Sequence, residues 1–458
     1  MFSKLKTEKM VQIIENVANA LWGWPMIILL LGTHLFLTFR LKIPQRKIFT
    51  GIKLSVTKDE GSSGDVSQFG ALATALAATI GTGNIIGVAT AVSMGGPGAV
   101  FWCWITGVFG IATKYGEGLL AIKYRVRTSD GTMMGGPMYA LERGLKMKWL
   151  AVLFCIFTAI AAFGIGNLVQ ANAVSEMMFE TFQISPKLTG VLVAFATALV
   201  VIFGVKGIAR VCGILVPFMT VFYVVGCVVI LCFNANYVWS AIQLIVTSAF
   251  SAKAAVGGFA GGAVIMALRY GVARGLFSNE SGLGSAPIVA AAAQTRNSVR
   301  QALVSATGTF WDTVVVCLMT GLVIVSSVIA HPDIDFSNGA LLTKLAFSKI
   351  PYIGSWVLSI GLITFAFSTI LGWSYYAEKA IEYLGGKRSI RYYKFLWVVA
   401  VYIGSVLKLG LVWNIADCMN ALMAIPNLVA LLLLSGVIAK ESNKYLWNNR
   451  LDDFDPDI

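Results

Sequence analysis

The chain has 458 residues, 57% of them hydrophobic and 12% charged, with a formal net charge of +13 and a mean hydropathy of +0.78. Soluble domains carry about 25% charged residues, and half that share leaves too little polar surface to cover a globule in water, so an all-α polytopic protein of the lipid bilayer is indicated. The basic excess forms no single patch but falls in short loops between apolar runs, which sets nucleic acid aside as a partner.

About 20 apolar residues cross a bilayer as a helix. The first such run, 19–39, is longer than a signal core and is followed by Arg40 and Lys42 rather than by a small-residue cleavage site. It reads as a retained span, and residues 1–65 as that span plus a cytoplasmic linker. Runs at 66–93, 97–122, 149–179, 188–205 and 208–233 make a first five-helix unit, 66–235. Val238–Phe250 is too short to cross and reads as an interfacial helix. Runs at 256–290, 299–330, 353–384, 392–409 and 413–439 make a second unit, 236–440, before a cytoplasmic tail at 441–458. The total is about eleven spans. The 256–290 run is the weakest, because Arg269 and Arg274 interrupt it.

Alternate loops differ sharply in Lys and Arg. Loops near 40–58, 123–148, 206–210, 296–300, 387–394 and 440–450 are basic. The other set holds only Lys4, Lys6, Lys9, Lys187, Lys253, Lys344, Lys349 and Lys408. The basic set is expected in the cytoplasm, with the N-terminus outside and the C-terminus inside.

The second run contains Ala77-Ala78-Thr79-Ile80-Gly81-Thr82-Gly83-Asn84-Ile85-Ile86-Gly87. Three glycines and an Asn weaken a helix at a depth where lipid demands one, and unwound backbone is tolerated there only when protein buries it or it lines a cavity. A second interruption, Phe277-Ser278-Asn279-Glu280-Ser281-Gly282-Leu283-Gly284, lies in the seventh run. Paired breaks in matching positions point to a binding site between inverted repeats. The second break lies five spans after the first, an odd number, so the halves have opposite topology.

Polar residues within spans are costly and usually functional. Thr82, Gly83 and Asn84 are candidates, the alternative being close packing of small residues, which explains the glycines but not the Asn. Asn279, Glu280 and Ser281 are the densest polar cluster, and Glu280 could instead pin the break by accepting backbone hydrogen bonds. Gln170 faces a cavity or bridges helices. Ser368 and Thr369 offer adjacent hydroxyls to a hard monovalent cation, unless they bond back to their own helix. Lys114 and Glu117, one turn apart, read as a structural pair. Asp312 could meet Arg269 or Arg274, and Asp417, near Asn420, is equally open. Phe277 and Trp373 are gates or plain packing. His34 and His331 read as interface or loop residues, and the seven cysteines as small core hydrophobes. No phosphate-loop or dinucleotide motif is present, so an ion gradient rather than an ATPase subunit should drive transport, with no cofactor.

At these residues the chain resembles the alanine/glycine:cation symporters, also called sodium:alanine symporters. The resemblance runs from about Trp22 to Ser435 and is carried by Ala77–Gly87, by Gly95–Trp104, by Arg269–Pro287, by Phe367–Trp373 and by Ala424–Asn427. Cys103 and Ser281 depart from the usual Met and Ala, and Ser281 adds a hydroxyl that bears on substrate preference. The resemblance implies the LeuT fold, a 5+5 inverted repeat with one additional N-terminal span, in the plasma membrane. It implies a symporter of small neutral amino acids, alanine and glycine, with a monovalent cation, most simply sodium. Substrate contacts would be Thr82, Gly83, Asn84, Gln170, Phe277, Ser278, Asn279, Gly282 and Trp373. Sodium would meet the carbonyls of Ala77 and Ile80 and the hydroxyls of Ser368 and Thr369. Half-helix N–H groups suit a carboxylate, amide oxygens and free carbonyls suit an ammonium, and bulky Phe277 and Trp373 favour a small side chain. Proton coupling, another small neutral amino acid, or an ion channel are the alternatives.

Overall fold

Helices carry most of the described residues. The computed structural model describes all residues except 1–13, 15, 19, 60, 252–263, 336–338, 352, 408–409 and 457–458. Lys4, Lys6, Lys9, Lys253 and Lys408 of the charge count, and the start of the 256–290 run, lie outside the described residues.

Helix α1 (Trp24–Arg40) turns by 68° into a segment ending in α2 (Ile48–Ser55). Ser67 then caps α3 (Gln68–Thr79), its hydroxyl accepting Gly70 N–H at 3.0 Å. Helix α4 (Gly83–Gly95) continues α3 after a 53° bend. Next come α5 (Gly98–Lys123), a hairpin of β1 (Val126–Arg127) and β2 (Met133–Met134), and α6 (Lys148–Phe182). On this hairpin, Lys387 and the hydroxyls of Thr128 and Thr132 hold the Asp130 carboxyl well below the usual carboxylate range. Ser185 caps α7 (Pro186–Val201), and α8 (Gly204–Phe233) follows. The expected interfacial segment is helix α9 (Ala235–Phe250), half-buried against α5 and α12.

The second broken helix is α10 (Val264–Asn279) with the short α11 (Pro287–Ala290). Asn297 caps α12 (Ser298–Ala330). Helix α13 (Gly339–Ser348) precedes α14 (Gly354–Gly385), α15 (Lys387–Val406), α16 (Gly410–Leu433) and α17 (Ser435–Glu441). Gly386, at φ +71°, makes the sharp turn between α14 and α15.

Five helices among the described residues are long and apolar enough to cross a membrane: α6, α8, α12, α14 and the Asn414–Leu433 part of α16. The bent pair α3/α4 is so as one unit. Helices α5 and α15 have the length, 26 and 20 residues, but not the uniform apolarity. In α5 the reason is plain, since Lys114 and Glu117 are buried inside the protein. The two broken helices sit centrally. Helix α5 packs on α10 and on the start of α12, while α3 packs on α8 and α14.

The linker, the start of α12 and the tail close one end of the bundle. Asp59 holds Arg296 at 2.5 Å and Arg300 at 3.3 Å. Arg300 holds Asp452 at 2.6 Å, and Asn297 Nδ2 donates to the carbonyls of Leu451 and Asp453.

Candidate functional site

The first break starts where Ile80 leaves helical geometry, with ψ +94°. This frees carbonyls at the end of α3 and N–H groups before α4. Side chains take up both. Asn84 Oδ1 accepts Gly81 N–H at 2.9 Å, and Gln170 Oε1, from α6, accepts Thr82 N–H at 3.4 Å. Gln170 Nε2 donates to Thr82 Oγ1 at 3.2 Å and to the Ile165 carbonyl at 2.8 Å.

On the carbonyl side, α14 supplies the partners. Ser368 Oγ lies 3.2 Å from Ala77 O, and Thr369 Oγ1 lies 3.3 Å from Ile80 O. Both hydroxyls also bond back to Phe365 O, at 2.9 and 3.0 Å. Hydroxyl and carbonyl oxygens from two helices thus converge in a buried spot, the donor chemistry of a hard cation. A Cβ at Gly81 would stand 2.5 Å from Thr369 Oγ1, so only glycine lets α14 approach this closely.

The second break holds three positive φ angles: Glu280 at +53°, Gly282 at +94° and Gly284 at +86°. Its freed N–H groups are also taken by side chains. Asn279 Oδ1 accepts Ser281 N–H at 2.9 Å. Glu117 Oε1, on α5, accepts the N–H of Gly282 and of Gly284, each at 3.0 Å, and Asn427 Nδ2 at 2.7 Å. The expected Lys114–Glu117 pair exists at 3.8 Å, but the main work of Glu117 is to hold this break. Glu280 pins the break differently from expectation. It accepts side-chain donors, Ser285 Oγ at 2.5 Å and Trp373 Nε1 at 3.1 Å, in place of backbone N–H groups.

The two breaks meet through Asp312 of α12. Its Oδ1 accepts Asn84 Nδ2 at 2.6 Å, and its Oδ2 accepts Ser278 Oγ at 3.1 Å and Thr313 Oγ1 at 2.6 Å. The expected meeting with Arg269 or Arg274 does not occur, because both arginines line a separate cavity with Asp417. The acid was visible in the sequence as a lone carboxylate within an apolar run, but its partners lie 34 and 228 positions away.

Of the candidate residues, Thr82, Gly83, Asn84, Gln170, Phe277 and Ser278 come together. A Cβ at Gly83 would stand 3.4 Å from Phe277 Cδ1, which puts that ring against the first break. Trp373 is buried, tied to Glu280 and packed against Gly166. Asn279 and Gly282 turn elsewhere. Asn279 Nδ2 reaches Thr106 of α5 at 3.4 Å, and Gly282 faces Leu30 and Leu428. Ser281 donates to or accepts from Thr309 Oγ1 at 3.0 Å, away from the first break. Asn172 reaches the Leu407 carbonyl. His34 is no interface residue: it is buried, with Nδ1 2.8 Å from Thr113 Oγ1.

Residues 7–456 match the model of the sodium:alanine symporter family. The chain is 50% identical over 443 residues to the sodium/alanine symporter AgcS of Methanococcus maripaludis, covering 95% of this chain and 97% of that protein. It is 49% identical over 450 residues to an uncharacterized transporter of Haemophilus influenzae, covering 97% and 98%. Its fold resembles the crystal structure of MhsT in complex with L-phenylalanine, with a TM-score of 0.56, 17% identity, and coverage of 86% of this chain and 96% of that one.

Proposed function

The chain belongs to the sodium:alanine symporter family, and on that premise we propose that it imports small neutral amino acids, alanine and glycine, together with sodium. It is a multi-pass membrane protein of the LeuT fold. The observation that carries the proposal is the convergence of the α3 carbonyls with the α14 hydroxyls beside two interrupted helices.

In this reading sodium exchanges its water for Ala77 O, Ile80 O, Ser368 Oγ and Thr369 Oγ1, with Phe365 O in reach of both hydroxyls. The substrate carboxylate displaces the Gln170 amide oxygen from the Thr82 N–H of the Gly81–Asn84 turn, where the α4 dipole also favours an anion, and so frees that oxygen. Its ammonium takes the amide oxygen of Gln170 and carbonyls at the second break near Phe277 and Ser278. Neutral amide and backbone dipoles match a zwitterion without an uncompensated buried charge. Phe277 and Trp373 bound the space and favour a small side chain. Because sodium would occupy the end of α3 and the substrate the start of α4, each favours the arrangement of the break that the other needs.

The finer architecture is part of the proposal: about eleven spans, a 5+5 inverted repeat after one extra N-terminal span, and an external N-terminus in the plasma membrane. The hydrogen-bond pattern supports the repeat. Each break has an Asn whose Oδ1 accepts its own freed N–H, Asn84 and Asn279. Each is held by a carboxylate from the other half: Asp312 for the first and Glu117 for the second. Helices α5 and α12 would be equivalent in such a repeat.

The test is uptake of radiolabelled alanine into proteoliposomes with sodium and proton gradients imposed separately. Uptake should follow the sodium gradient. Uptake driven by the proton gradient alone, or a steady ion current without amino acid, would refute sodium symport.

A further inference from the structure

A cavity of about 540 Å³ opens at the protein surface where α6 and α15 begin. It lies between the turn of the β hairpin, the end of α14 and the starts of those two helices, with Lys148 on one side and Lys387 on the other. The carboxylates around it are already occupied. Asp130 pairs with Lys387, and Glu382 takes Lys379 at 2.8 Å. Glu142 accepts the Tyr383 hydroxyl at 2.8 Å and lies 3.8 Å from Lys148.

The remaining cations of the rim have no such partners. Arg143, Lys146, Arg388 and Arg391 are exposed, and none pairs with a carboxylate among the described residues. Lys387, Arg388 and Arg391 stand in the first two turns of α15, and neither α15 nor α6 has an acid in its first turn or a side chain capping it. A helix dipole disfavours cations at its N-terminus, so helix stability does not account for this placement. Beyond the rim the same two helices turn apolar side chains outward, Leu153 and Ile156 on α6, Phe395, Leu396 and Val399 on α15. Their facing sides pack together: the Tyr393 hydroxyl donates to Ala159 O at 3.1 Å, and its ring lies 4.9 Å from that of Phe163. Trp149 and Tyr392, both exposed, stand next to the basic residues, as aromatic side chains do at the boundary between headgroups and hydrocarbon.

We propose that this rim and the seam beyond it bind an anionic phospholipid, with its phosphate among Arg143, Lys146, Arg388 and Arg391 and its acyl chains along the outward apolar side chains of α6 and α15. Arginine holds a phosphate by paired, charge-assisted hydrogen bonds, and basic pockets between helices at the membrane surface suit such headgroups. The partner is a lipid because the basic and the apolar surfaces are continuous. A soluble phosphate uses the rim alone, and a neutral lipid uses the seam alone. The inference goes beyond amino-acid transport and concerns residues that neither the proposed substrate site nor the proposed sodium site uses.

The experiment titrates the full chain, delipidated in a neutral detergent, with phosphatidylglycerol and with phosphatidylcholine of the same acyl chains, and counts bound lipid by native mass spectrometry. Phosphatidylglycerol should bind far more tightly. Each basic residue near a membrane surface is worth about fivefold. Arg388→Gln with Arg391→Gln, and independently Arg143→Gln with Lys146→Gln, should therefore each weaken phosphatidylglycerol by about twentyfold and leave phosphatidylcholine unchanged. Lys206→Gln with Arg210→Gln removes the same charge from exposed positions on α8 and should change neither. Size-exclusion profiles report folding, and the two rim pairs are independent should one of them misfold. Equal binding of the two lipids, a preference that survives both rim pairs, or an equal loss in the α8 pair would overturn the site. Displacement of phosphatidylglycerol by glycerol phosphate at similar concentration would assign the rim to a soluble anion and overturn it too. A protein that took up no alanine would refute the transport reading and leave these lipid affinities as they are.

Discussion

In the proposed sodium site, Thr369 is the residue on which ion coupling would turn. Its hydroxyl stands between Ile80 O and Phe365 O, and no other group on α14 reaches Ile80 in the same way. Thr369→Val keeps the shape and removes the oxygen. It should raise the sodium concentration for half-maximal alanine uptake by about tenfold, a coupling of about 1.4 kcal/mol, and saturating sodium should restore most of the uptake. Unchanged sodium dependence in a folded variant would place the ion elsewhere. In the proposed site Trp373 would act on substrate size. It is buried against Gly166, and its indole N–H is held by Glu280. Trp373→Ala should admit larger neutral amino acids in competition assays and weaken alanine. Truncating a buried Trp costs about 3–5 kcal/mol of stability, so thermal unfolding must be followed alongside. A folded variant with the same affinity and the same selectivity would remove Trp373 from the pocket wall.

Among the elements, the two breaks decide the fold as well as the site. Unwound backbone persists inside the bundle because side chains satisfy its freed N–H groups, Asn84 and Gln170 at one break, Asn279 and Glu117 at the other. Glu117 also balances Lys114, which is buried. Glu117→Gln should therefore lower the unfolding temperature strongly, since removing one member of a buried pair costs about 3–5 kcal/mol. Adding Lys114→Met should recover part of the loss. A thermal midpoint equal to wild type for the single variant would show that Glu117 does not hold the second break. The breaks themselves were legible in the sequence, because glycine clusters inside apolar runs have few other uses. So was the nearness of Ser368 and Thr369 to Ala77 and Ile80, though only through family resemblance. The partners of Asp312 and Glu117 were not legible. A carboxylate in a helix shows its own neighbours at three and four residues, and here the partners at the breaks come from distant parts of the chain, such as Asn84 for Asp312 and Gly282 for Glu117. That Asn279 and Gly282 face flanking helices was not legible either, since a break presents some groups inward and others outward, and spacing does not tell which.

For the molecule as a whole, the proposed function fixes an orientation and a linkage between the two ligands. The Asp59–Arg296–Arg300–Asp452 cluster ties linker, α12 and tail together at one end of the bundle, and the proposed orientation puts the basic loops there in the cytoplasm. A cysteine at Ser348, exposed at the end of α13, should react with an impermeant reagent from outside intact cells. One at Thr57, exposed in the linker, should react only after permeabilisation. The opposite pattern would invert the topology. The most direct measurement of the whole is equilibrium linkage on the purified protein. Alanine affinity should rise about tenfold between sodium-free and saturating sodium, and sodium affinity should rise by the same factor when alanine saturates, because coupling free energy is reciprocal. Alanine binding that ignores sodium across this range would contradict sodium-coupled symport at the junction of the two breaks.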